Sequence, residues 1–255
     1  MPSPVTGPPA RPLAIAHRGG ALLAAENTAA AFARSAALGA DWVETDLRLS
    51  ADGALVCLHD DDLLRLAGDP RRVAETDLAT LKRLVPSLMT LAQAIAASAP
   101  LGLLLDVKLA DPKILPDVLA ALGEGGAKGR AVLGLRDLAT VAAARVLDPD
   151  IAILGLLPDP DGAGDARAAG ADWLRLWQGQ ASRQRIAAAQ AAGLQAAVMV
   201  GQPRTVPQAG YPPFGVGAID AQGIARVLAL GPDAVMLDDP RLLLDARPVT
   251  GLSSS

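Results

Sequence analysis

Short apolar runs that end in polar residues recur along this chain, with Ala-rich helical stretches between most of them. The runs are PLAIAHR, DWVETDLR, GLLLDVK, RAVLGL, IAILGLL, DWLRLW, QAAVMVG and DAVMLDD. A near-continuous apolar run is how a strand buried on both faces of a parallel sheet reads. Helices are expected over 26–37, 90–98, 113–123, 138–146, 182–192 and 219–230, with a short one near 164–169. Strands alternating with helices imply a parallel sheet with right-handed crossovers. Eight such units in 255 residues fit a single-domain α/β fold, the (β/α)8 TIM barrel, better than an open doubly wound sheet. The dinucleotide-binding form of the open sheet is weakened further, because no G-x-G-x-x-G follows the first run.

The barrel is expected over residues 12–248, between a Pro-rich flexible arm at 1–11 and a disordered tail at 249–255. The arm has no apolar core of the kind a secretory signal carries. With a single cysteine, nothing argues for an oxidising compartment, so a cytoplasmic location is expected. Net charge is −4 with acids and bases mixed, there is no basic stripe, and aromatic residues are few, which disfavours a nucleic-acid partner. The uncharged run at 84–105 has the length of a membrane span, but Pro86, Gln93, Pro100 and Gly102 interrupt it. It is expected to form a helix from Thr90 to Ser98, a turn and a buried strand, with no integral membrane segment.

In a barrel of this kind the active site lies at the C-terminal strand ends, and chemistry-bearing residues collect at those positions. His17 and Arg18 follow the first run. Glu44, Asp46 and Arg48 share one face of the second strand, which turns at Asp52-Gly53 into a short return strand ending in His59 and Asp60. Asp106 and Lys108 end the third run, again on one face. Glu44, Asp46 and Asp106 are therefore candidates to converge, and all-oxygen ligation selects a hard divalent cation, Mg²⁺ or Ca²⁺. His17 and His59 are too few for a multi-histidine zinc centre and suit proton transfer beside an oxygen-ligated metal. Arg18 and Lys108 bring positive charge suited to a phosphate, with a simple ion pair between Lys108 and Asp106 as the lesser alternative.

The pieces AHRGG, ENTAAAFARSAALGADWVETDLRLSADGALVCLHD, LLLDVK and, more loosely, PDAVMLDDP resemble the glycerophosphodiester phosphodiesterase family. The H-R-G, E-N-T, E-x-D, D-G and H-D elements of the first 60 residues come in that family's order and spacing, whereas beyond about residue 110 the likeness is mainly one of strand–helix rhythm. The resemblance implies a (β/α)8 barrel that hydrolyses glycerophosphodiesters, a small-molecule substrate, to glycerol 3-phosphate and an alcohol. It places the catalytic histidines at His17 and His59, the metal carboxylates at Glu44, Asp46 and Asp106, and the phosphate-side cations at Arg18 and Lys108. It also implies an active-site role for Glu26, orienting Arg18 or a ligand. Lysophospholipase D-type activity on lysophospholipids and a non-catalytic phosphate-binding barrel are the alternatives.

Several departures from the family pattern carry expectations. Asp106 stands where the family usually has Glu, one C–C bond of about 1.5 Å shorter. The stretch between His59 and Asp106 is short, so a reduced cap and an open pocket are expected. The connection at 202–218, with Tyr211 and Phe214, is either a lid or a mobile surface loop. Asp238 and Asp239 are read as structural residues of the turn before Pro240. Trp173, Arg175 and Trp177 share a strand face and are read as packing, with Trp177 a candidate pocket wall. Cys57, inside an apolar run, is read as a packed thiol rather than a nucleophile.

Overall fold

Alternation of inward and outward side chains along short parallel strands generates the architecture. The computed structural model describes residues 11–109, 111–203 and 209–247. In chain order the strands are β1 (Leu13–Ala16), β2 (Trp42–Leu49), β3 (Leu55–Cys57), β4 (Asp62–Leu63), β5 (Asp69–Arg72), β6 (Gly102–Val107), β7 (Ala131–Leu135), β8 (Ala152–Gly155), β9 (Trp173–Trp177), β10 (Gln195–Met199) and β11 (Ala234–Leu237). The helices are α1 (Ala29–Leu38), α2 (Leu64–Ala67), α3 (Leu78–Leu84), α4 (Leu91–Ser98), α5 (Leu115–Glu124), α6 (Leu138–Leu147), α7 (Ala163–Ala169), α8 (Arg183–Ala191), α9 (Ala221–Leu228) and α10 (Arg241–Ala246). Strands β1, β2 and β6 to β11 pair in parallel, and β1 bonds both β11 and β2, so the sheet closes into an eight-stranded barrel. The short strand β3 pairs antiparallel with the outer end of β2.

Outward residues such as Val43, Leu47, Leu103 and Leu105 pack under the helices in one large core. Inward residues such as Ile15, Trp42, Leu104, Trp173 and Met236 fill the barrel itself. The insertion between β3 and α4 has a small core of its own, built from Val56, Leu58, Leu63, Val73, Leu81 and Leu88.

All seven expected helices are present, with shifted ends. The first starts at Ala29 rather than 26, because Asn27 takes φ 55° and the Thr28 hydroxyl accepts the Ala31 N–H at 3.2 Å. The interrupted run at 84–105 forms α4 and β6, with Thr90 and Gln93 making a capping box. Among the described residues no helix is long and apolar enough to cross a membrane. Helices α2, α3 and α10 had no counterpart in the expectation; each has seven residues or fewer, too short for the 3.6-residue period to show. The arm and the tail lie outside the described residues, apart from Arg11, which pairs with Asp41 at 3.0 Å.

At the N-terminal rim, three aspartates clip neighbouring strands together. Asp41, Asp172 and Asp233 each immediately precede a strand, and each accepts a backbone N–H from the adjacent one: Ala14 at 2.7 Å, Ile153 at 2.9 Å and Ala196 at 2.8 Å. Two of these sites carry the same tetrapeptide, G-A-D-W, at 39–42 and 170–173. The tryptophans of the two copies, Trp42 and Trp173, meet edge to face inside the barrel with ring centroids 5.3 Å apart. Gly102 makes room for this floor, since a Cβ there would stand 2.1 Å from Trp42 Cδ1. Gly102→Ala should therefore destabilise the fold by about 1–3 kcal/mol through overpacking. Equilibrium denaturant unfolding checks this, and an unchanged midpoint would contradict the packing described.

Candidate active site

Register brings the acids together. Asp46 on β2 pairs with Asp106 on β6, and Glu44 pairs with Leu104, so all three acids stand on the barrel's inward face near its C-terminal rim. Glu44, Asp46 and Asp106 are buried, and each offers an oxygen within 4.8 Å of the others. Three buried carboxylates at this spacing repel one another. Burial, then the charges of Asp46 and Asp106, push the Glu44 carboxyl up to about 7. Asp46 is also desolvated, but Lys108, His59 and Arg18 hold its carboxyl below the usual range. This donor set suits a hard divalent cation: oxygen atoms only, buried and close together, with a mutual repulsion that two positive charges would relieve further.

The backbone next to the first strand is shaped around these acids. The Arg18 N–H donates to Glu44 Oε2 at 2.7 Å, and Asn27 Nδ2 donates to Asp46 Oδ2 at 2.9 Å. The Asn27 side-chain oxygen in turn accepts the Thr45 hydroxyl at 2.7 Å. Arg18 and Asn27 are the two non-glycine residues at positive φ, 50° and 55°, among the described residues. Left-handed backbone at non-glycine positions costs energy and recurs at functional sites. Lys108 Nζ lies 2.8 Å from Asp46 Oδ1 and also pairs with Asp106. Both readings of Lys108, partner of Asp106 and cation in the pocket, therefore describe the same atom.

Each histidine is held by its own carboxylate. His17 Nδ1 lies 2.7 Å from Asp238 Oδ1, and His59 Nδ1 lies 2.7 Å from Asp60 Oδ1. That leaves Nε2 of each ring for exchange with a ligand. Burial works against the His17 cation, but the Asp238 hydrogen bond and the Glu44 charge outweigh it, and its pKa is raised. For His59 burial is the largest influence and, with Arg18 and Lys108, it overcomes Asp46, so its pKa is lowered. Arg48 fixes the His59 backbone by donating two N–H groups to its carbonyl, at 2.9 and 2.6 Å.

Glu26 accepts from Arg18 Nη1 at 3.0 Å, as expected of a residue that orients that guanidinium. Arg65, from the insertion, bridges Glu26 and Asp60. The expected reduced cap thus takes the form of a compact insertion whose Arg65 joins the site at its rim. His17, Arg18, Glu44, His59, Asp106 and Lys108 line one cavity of about 180 Å³.

Besides Asn27, Asp60 and Arg65, three more residues belong to this site that the sequence reading did not place there. Asp238, read as structural, orients His17. Gly217 clears the way for it, since a Cβ there would stand 2.2 Å from Asp238 Oδ1. Arg136 pairs with Asp106, with Nε at 3.1 Å from Oδ1. It follows the fourth apolar run just as His17 follows the first, so the same rule would have found it. Arg175 points into the barrel and lines the cavity, although it was read as packing. A lone charge at an inward strand position was the available signal. Trp177, read mainly as packing with the pocket wall as the other reading, lines the cavity.

Cys57 is buried, and burial pushes its thiol up to about 12, which agrees with a packed role. Of the 202–218 connection, residues 204–208 lie outside the described residues. Pro203 and Val216 line the cavity, while Tyr211 packs on Gly179.

A model of the glycerophosphoryl diester phosphodiesterase family matches residues 17–242. The chain belongs to that family. A glycerophosphodiester phosphodiesterase of Caldanaerobacter subterraneus subsp. tengcongensis is 43% identical over 72 residues, 28% of this chain and 30% of that one. The Bos taurus glycerophosphodiester phosphodiesterase 1 is 40% identical over 83 residues, 32% of this chain and 25% of that one. This chain thus spans less than a third of the length of the curated relatives it matches. Solved structures extend the likeness in fold across the family barrel. A glycerophosphodiester phosphodiesterase from Agrobacterium tumefaciens superposes with a TM-score of 0.71 at 21% identity, covering 91% of this chain and 98% of that one. An Oleispira antarctica phosphodiesterase, solved in complex with the product sn-glycerol-3-phosphate, gives 0.73 at 24% identity, covering 92% and 96%.

If the carboxylate cluster takes a divalent cation, adding Mg²⁺ or Ca²⁺ to chelator-treated protein should raise its melting temperature. At a hundredfold excess over Kd the gain is about 2.7 kcal/mol. Asp46→Asn should lose most of it. Thermal unfolding across a metal titration reads this out, and no shift with either ion would dismiss the cluster as a cation site.

Proposed function

We propose that this chain hydrolyses glycerophosphodiesters to glycerol 3-phosphate and an alcohol, with Mg²⁺ or Ca²⁺ held by Glu44, Asp46 and Asp106. One observation carries the reading: two imidazoles, each steered by its own carboxylate, flank a buried three-acid cluster and several cations in a single cavity. The family match over residues 17–242 supports the same chemistry.

In this reading the phosphodiester lies against Arg18 and Lys108, whose N–H groups donate to its non-bridging oxygens. Glu26 keeps the Arg18 guanidinium turned for that task. A bound divalent cation would act as a Lewis acid on the phosphoryl group. His59, biased towards the neutral form, removes a proton from the attacking oxygen, whether water or the substrate's own glycerol hydroxyl. His17, biased towards the cation, protonates the departing oxygen. Opposed shifts on paired titratable groups are what such a division of labour requires.

The lysophospholipid alternative draws support from the small insertion, which leaves Arg65 at the rim. Turnover of glycerophosphocholine compared with a lysophosphatidylcholine separates the two substrates.

Purified protein with Mg²⁺ or Ca²⁺ should release glycerol 3-phosphate from glycerophosphocholine, and a chelator should abolish release. His17→Ala and His59→Ala should each lower kcat by about 10²–10⁴. Near-normal turnover in both variants would reject their roles. The dependence of kcat/KM on pH should be bell-shaped. It rises through the His59 pKa, below the ordinary imidazole value, and falls through the His17 pKa, above it. Asp238→Asn removes a negative charge that favours the His17 cation, so the alkaline limb should move to lower pH. An unmoved limb would assign that limb to another group.

A further inference from the structure

The site holds one cation without an assigned job. Arg175 on β9 is 8% exposed and projects inside the barrel between Trp173 and Trp177. Its guanidinium carbon stands 4.6 Å from the centre of the Trp177 ring. Its inward neighbour on β10 is Ala197, so space is left beside it. Nη2 makes one long contact, 3.4 Å to the Leu156 carbonyl, and Nη1 has no hydrogen-bond partner. Among the described residues it forms no ion pair. The other cations of the cavity are answered: Arg18 by Glu26, and Lys108 and Arg136 by Asp106.

A buried guanidinium without a counter-charge is expensive, and the cost is recovered when an anion arrives. Burial, followed by the charge of Arg136, lowers the Arg175 pKa to about 10, so it stays cationic at neutral pH. In the function proposed above Arg18 and Lys108 take the phosphodiester, so the counter-charge that Arg175 lacks is left to another anionic group on the same molecule.

We propose that Arg175, with Arg136 beside it, forms a second anion subsite that selects phosphodiesters whose esterified alcohol carries its own phosphate or carboxylate. This deepens the function proposed above and rests on it for the identity of the substrate, but the subsite can be tested by binding alone. Arg175 recognises the second anion through Nη1, and Trp177 backs the guanidinium plane and keeps it aimed into the cavity.

Trp177 also supplies the readout, because Trp42 and Trp173 are buried and it is half-buried beside Arg175. Metal-free protein is titrated with propyl phosphate and with propane-1,3-diol bisphosphate while tryptophan fluorescence is followed. The bisphosphate should bind at least about tenfold more tightly, the worth of one charge-assisted contact. Arg175→Met should reduce that advantage to below about threefold, and Arg175→Lys should keep part of it. Equal binding of the two probes by the unmodified protein, which needs no variant to fold, overturns the proposal. So does an equal loss for both probes in Arg175→Met, which would place Arg175 on the first phosphate.

In the presence of Mg²⁺, kcat/KM is compared for glycerophosphoglycerol, its terminally phosphorylated derivative and glycerophosphoglycerate. A preference for either charged substrate that collapses in Arg175→Met supports the subsite and tells phosphate from carboxylate. No turnover of any diester, together with the expected binding ratio, would refute the hydrolase reading and leave the anion subsite standing.

Discussion

Three carboxylates are buried within a few ångströms of one another, and most of the surrounding structure answers to that fact. Neighbouring parallel strands place Asp46 opposite Asp106 on the inward face, and Glu44 follows one pleat below. Desolvated like charges are unstable unless positive groups or N–H donors surround them. The chain supplies both. Lys108 sits between Asp46 and Asp106, Arg136 takes the outer edge of Asp106, and the Arg18 backbone and the Asn27 amide serve the other two acids. The left-handed conformations of Arg18 and Asn27 follow from this duty: each turns a donor towards an acid it would otherwise miss.

The histidines form a second tier, each held by a carboxylate from a different element. Asp238 comes from the end of β11, the last barrel strand, and Asp60 from the start of the insertion. The insertion is tied to the first loop through Arg65, which joins Asp60 to Glu26, and Glu26 passes the connection to Arg18. A displacement of the insertion would therefore be felt by the orientation of His59 and by the cation beside the acids together. Coupling of this kind runs through physical contacts along the whole path.

Much of this was legible in the sequence, for reasons that differ by residue. The barrel was readable because its strands are buried on both faces and each announces itself as an apolar run. Glu44, Asp46 and Asp106 stood out because charge is rare at inward strand positions, and His17 and His59 because polar residues at strand ends collect at one rim. Asp238 escaped because an aspartate before Pro240 has an ordinary structural explanation, and only the third dimension brings it to a histidine 221 positions away. Arg136 escaped through the two-residue spacing of Asp106 and Lys108, which already offered that acid a partner. Arg175 obeyed the rule that found the acids, but its flanking tryptophans made packing a sufficient account. The start of α1 was misplaced for a related reason: the E-N-T segment has helix-forming neighbours, yet Asn27 must leave helical geometry to reach Asp46.

The two rims of the barrel use the same residue type for opposite ends. At the N-terminal rim Asp41, Asp172 and Asp233 each give an oxygen to a backbone N–H of the adjacent strand, which ties strand to strand, while side chains such as Arg11, Arg145 and Gln190 also bond them. Above them Trp42 and Trp173 close the floor as a dry, close-packed layer. At the C-terminal rim the carboxylates meet side-chain cations and one another, and their demands conflict: Glu44 is pushed up towards neutrality while Asp46 is held ionised. A barrel tolerates such a conflict because closure of the sheet and the clipped, packed base hold the strand ends in place whatever the charges prefer. Stability is concentrated below and electrostatic tension above, so substitutions at the upper rim can retune the chemistry without asking the floor to change.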